Sequence, residues 1–71
     1  MKATSEMSER EAACFINMKK AMNDSYIVVD YLENAQHLAS SSDIEEDITA
    51  ALLMMGMVQD LIENVVRDLT N

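Results

Sequence analysis

Apolar residues between Ile44 and Leu69 recur at Ile44, Ile48, Ala51, Met55, Val58, Ile62, Val65 and Leu69. The alternating steps of four and three residues mark the seam of a helix that lies along another helix. An upstream seam repeats the spacing at Cys14, Met18, Ala21, Ser25, Val28, Leu32, Ala35 and Ala39. Between them, Ser40-Ser41-Ser42 breaks the pattern. The chain therefore reads as all-α, with two long helices joined by a short connection. Such a connection makes the helices antiparallel neighbours.

Helix-start chemistry sets the expected boundaries. Ser8-Glu9-Arg10-Glu11 and Ser42-Asp43-Ile44-Glu45 both have the S-x-x-E form of a capping box, in which hydroxyl and carboxylate satisfy each other's free backbone N–H groups. Residues 1–7 read as a flexible tail, 8–39 as the first helix, 40–42 as the turn and 43–70 as the second helix, all in one hairpin domain. Ser5 is an alternative first cap, and Glu6 with Arg10 an i,i+4 pair if the helix starts earlier. Asn23-Asp24-Ser25 are poor helix formers, so a kink at 23–25 giving three helices is the alternative. Continuity is the expectation, because the seam crosses Ser25 without losing phase.

Folding the seams together across the serines places Ala39 opposite Ile44, Leu32 opposite Ala51, Ser25 opposite Val58 and Cys14 opposite Leu69. Most layers then set a small residue against a large one, which lets helices approach closely. In length, seam and layering the chain resembles small dimeric helical-hairpin proteins. That likeness implies an architecture and no function.

The apolar surface exceeds what one hairpin uses. The second helix adds Leu52, Leu53, Met54, Met57, Leu61 and Val66. The first adds Phe15, Ile16, Met22, Tyr26, Ile27, Val29, Tyr31 and Leu38. A helix apolar on several sides needs partners on several sides. The expectation is a homodimer forming a four-helix bundle, a surface held for another protein, or both. Methionine suits surfaces that accept varied partners, so Leu53, Met54, Met57 and Leu61 are the candidate protein-binding residues. Gly56, costly in a helix, hints at a close helix approach or local give.

Composition narrows the function. Seventy-one residues with one cysteine and one histidine allow neither an internal disulfide nor a His/Cys zinc site. So small a chain buries little surface alone, which leaves oligomerisation as the stabilising device. Thirteen acids against five bases give a net charge of -8. That charge disfavours nucleic acid and anionic membranes as partners and favours a basic one. The apolar run Ile48 to Val58 is too short to span a bilayer. With no apolar N-terminal signal segment and a lone thiol, the expected location is the cytoplasm.

Candidate chemistry is sparse. His37 has no neighbouring base to hold a phosphate and reads as a solvated helix-end residue favoured by the dipole. Cys14, on the seam, reads as a small core hydrophobe. Glu45-Glu46-Asp47 point in different directions and lack the turn glycine of a Ca²⁺ loop. No Glu-x-x-His pairs exist for a di-iron site. The expectation is no enzyme and no cofactor. The first functional reading is an adaptor, similar in general character to small acidic secretion chaperones, that covers a partner's amphipathic helix with a Met-rich face. The alternative is an acidic inhibitor or regulator. It would present Asp30, Glu33, Glu45, Glu46, Asp47, Asp60 and Glu63, with further acids such as Glu6, to a basic nucleic-acid-binding surface of its target.

Overall fold

The computed structural model describes residues 7–71. Two α-helices, α1 over Glu9–His37 and α2 over Ser42–Thr70, pack against each other as an antiparallel hairpin. The expected tail lies outside the described residues except for Met7, as do Ser5 and Glu6.

α1 starts as its sequence dictates. Ser8 is extended, its Oγ accepts the Glu11 N–H at 3.1 Å, and its own N–H donates to Glu11 Oε1 at 3.4 Å. The helix runs unbroken through Asn23-Asp24-Ser25, so the described residues form two helices and not three. The Ser25 hydroxyl donates back to the Met22 carbonyl at 2.6 Å. Bonded that way it leaves the helical N–H ladder intact.

The second helix begins one residue before the expected box. Ser41 is the extended cap, its Oγ accepting the Ile44 N–H at 3.3 Å and its carbonyl accepting the Glu45 N–H at 3.1 Å. Ser42 is already helical. The residue three after Ser41 is Ile44, which has no carboxylate to reach back, so the cap is one-sided. The three serines are chemically equal, and which one caps is set by where the chain reverses.

The seam also differs from the expected one, by one residue at every second position. Met18, Ser25, Leu32 and Ala39 line the interface as expected. Between them Phe15, Met22, Val29 and Gln36 are half-buried, as is Ala21, while Cys14, Val28 and Ala35 are exposed. In α2, Ile48, Met55, Ile62 and Leu69 are shielded together with Leu52, Gln59 and Val66. Ile44, Val58 and Val65 lie open, and Ala51 is half-buried. The cause is size. A slight turn of each helix exchanges Cys14 for Phe15 and brings Met22 and Leu52 in beside Ala21 and Ala51, which removes more apolar area from water. The small-on-large layering therefore does not describe this interface.

The register between helices survives the rotation. Gln59 Nε2 donates to Ser25 Oγ at 3.0 Å, beside the expected Ser25–Val58 pair, and Gln36 Nε2 donates to Thr49 Oγ1 at 2.6 Å, beside Ala35–Ile48. The hairpin measures 51 × 15 × 15 Å. Among the described residues only Ser25, 4% exposed, is fully buried, and no hydrophobic residue is.

Candidate functional site

The candidate site is a set of surfaces, and helix geometry sorts them. With the inner seam fixed, each helix has two rows flanking it and further rows turned outward. In an antiparallel pair, like flanks lie side by side. One flank joins Lys19, Tyr26 and Glu33 of α1 to Thr49, Gly56, Glu63 and Thr70 of α2. Lys19, Tyr26, Glu63 and Thr70 do line one groove together, with Met22, Val66 and Arg67. Arg67, at the edge of this groove, donates to Asn64 Oδ1. This is the polar flank.

The opposite flank joins Cys14, Ala21, Val28 and Ala35 to Ile44, Ala51, Val58 and Val65. These are the seam positions that the rotation displaced. They carry no Asp, Glu, Lys or Arg, unlike every outward row of either helix. Val28, Ile44, Val58 and Val65 are each between 39% and 47% exposed, the value of a residue leaning on the seam without entering it. Cys14, expected as a core residue, is an exposed free thiol at one end of this flank.

The proposed protein-binding residues lie further round. Leu53, Met54, Met57 and Leu61 are between 62% and 70% exposed on the side of α2 turned away from α1. Their spacings of three, four and seven residues make one contiguous patch. Met55, in the same Met-rich run, is half-buried in the seam instead. A Cβ added at Gly56 would meet nothing within 4 Å, so the glycine is not required by a close approach within the hairpin.

The seven proposed acidic residues are all exposed. They do not form one surface: Asp30 and Glu33 lie on α1, Glu45, Glu46 and Asp47 at the start of α2, and Asp60 and Glu63 two to three turns from its end. His37 is exposed in the last turn of α1. Among the described residues no cluster of three His, Cys, Asp or Glu could hold a metal ion.

Sequence reasoning missed Gln36 and Gln59, the two side chains that bridge the helices. The signal was present. Both fall on the four-three spacing once polar residues are counted with apolar ones. The expectation that the apolar run is too short for a bilayer rests on Ile48 to Val58 alone. By length and composition the whole of Ser42–Thr70 is long and apolar enough to cross a membrane. Comparison with family models, with curated proteins and with solved structures finds no match.

Proposed function

We propose that the protein is a non-enzymatic, cytoplasmic interaction module. It is a homodimer of hairpins, chaperone-like or adaptor-like, that binds an amphipathic helix of a partner protein through Leu53, Met54, Met57 and Leu61. One observation carries this reading: among the described residues no hydrophobic one is fully buried, while thirteen large ones are exposed. A folded chain keeps so much apolar area in water only where other surfaces cover it. Unbranched methionine at the centre of the outward patch lets that surface adapt to side chains of different shape.

A protein cover is favoured over a bilayer by Asp60, which falls within the apolar stretch of α2 and would cost up to about 3 kcal/mol in hydrocarbon. The test is capture of binding proteins from cell extract by the wild type and by the Met54→Gln/Met57→Gln double variant. Proteins held by the wild type and released by the variant, with far-UV circular dichroism unchanged, support the reading. Equal capture by both contradicts it.

The exposure of all seven proposed carboxylates favours a second reading, an acidic regulator docking on a basic surface of its target. Binding of that kind weakens steeply as salt is raised, whereas capture through the apolar patch does not.

A further inference from the structure

Two apolar surfaces, a flank and an outward patch, are more than one role requires. We propose that they are divided: a second copy of this chain covers the apolar flank centred on Val28 and Val58, and the outward Leu53–Met57 patch stays free. This rests on the dimer reading above and specifies which face the dimer uses.

A side of the hairpin is 51 Å long and 15 Å wide, dimensions that can accommodate the roughly 800 Å² per partner that a stable interface buries. The flank runs along that side from Cys14 and Val65 at the open end to Ala35 and Ile44 near the turn.

Charge selects the occupant. Each copy carries a net charge of -8, so two copies repel wherever their carboxylates face each other. The flank is where both helices present rows without an ionised acid or base, so two copies meet there with the fewest opposed carboxylates. A basic partner would gain nothing at a face without carboxylates, and its attraction lies elsewhere on the molecule. The outward patch fits a second copy less well, because Glu46 and Asp60 stand in the row of Leu53.

Apolar residues on both inner rows and on one flank of each helix make the wide stripe of a four-helix bundle, broader than the two-row seam of an isolated pair.

The test places a single thiol on each surface of the full chain: Cys14→Ser/Val28→Cys on the flank and Cys14→Ser/Met57→Cys on the patch. Both exchanges are small enough to keep the fold, which circular dichroism checks. Mass is measured by sedimentation velocity, and labelling by a soluble aromatic disulfide is timed at the same concentration. The expected result is twice the 8.0 kDa chain mass for both variants, with Cys at 28 reacting at least about tenfold more slowly than Cys at 57. A dimer with any other labelling pattern overturns the assignment of the face and leaves the dimer reading standing. A mass of 8.0 kDa at every concentration overturns both.

Discussion

The two flanks of the hairpin are built by the same two helices, equally close to the same seam, and they are opposites. On one, Lys19, Glu33 and Glu63 alternate with Thr49, Thr70 and Tyr26, and Gln36 reaches Thr49. On the other, four successive heptad positions on each helix hold only Cys, Ala, Val and Ile. If the hairpin lived alone in water, both flanks would be solvated rims and nothing would separate them. The proposed second copy over the apolar flank would account for the difference, because apolar side chains left in water stabilise nothing.

A charge placed on either flank breaks the comparison most sharply. Val58→Glu puts a carboxylate into the proposed contact, where an unpaired buried charge costs about 3–5 kcal/mol. The dimer dissociation constant is expected to rise at least about a hundredfold, read by sedimentation across a dilution series. Tyr26→Glu, the matching change on the polar flank, should leave the mass unchanged. Equal effects of the two would erase the distinction between flanks.

Next in size is the outward patch. Met54→Gln/Met57→Gln removes two large apolar side chains worth about 1.5–3 kcal/mol each when buried, so partner capture should fall more than about tenfold. Dimer mass should not change, and a loss of dimer in this variant would merge the two apolar surfaces into one.

Smaller effects examine the seam and the polar rim. Gln59→Ala removes the donor to buried Ser25 and should lower stability by about 1 kcal/mol in urea titration. The Ser25→Ala/Gln59→Leu pair should restore most of that, because neither polar group is then stranded. Gly56→Ala, on the polar flank with open space around its Cβ, should stabilise the helix by somewhat under about 1 kcal/mol without altering the mass. A destabilised dimer in that variant would mean that something packs on the polar flank.

The hairpin itself was legible because four-three spacing survives any small rotation of the helix. The Ser8 box was legible because its two partners are local. The inner face was read half wrong for a physical reason. The apolar stripe is three rows wide, so the same spacing can be drawn along either of its edges, and counting residues does not weigh Phe15 against Cys14 or Leu52 against Ala51. Size decides between the edges. Gln36 and Gln59 escaped notice because a seam read by hydropathy alone passes over amides, although an amide that finds a hydroxyl across the interface fits there. Ser41 could not be told from Ser42 by type. Of the candidate site, Leu53, Met54, Met57 and Leu61 were read as one patch and are exposed together. The displaced flank was hidden inside the seam the sequence reading had drawn.

The proposed dimer stands or falls on the mass of the folded unit in solution. Light scattering on the full chain, diluted through the micromolar range, measures that directly. The prediction is a mass of twice 8.0 kDa that holds on dilution and falls only with loss of helix. A fully helical species of 8.0 kDa at all concentrations would contradict it, since the apolar flank would then stand in water with no second copy over it.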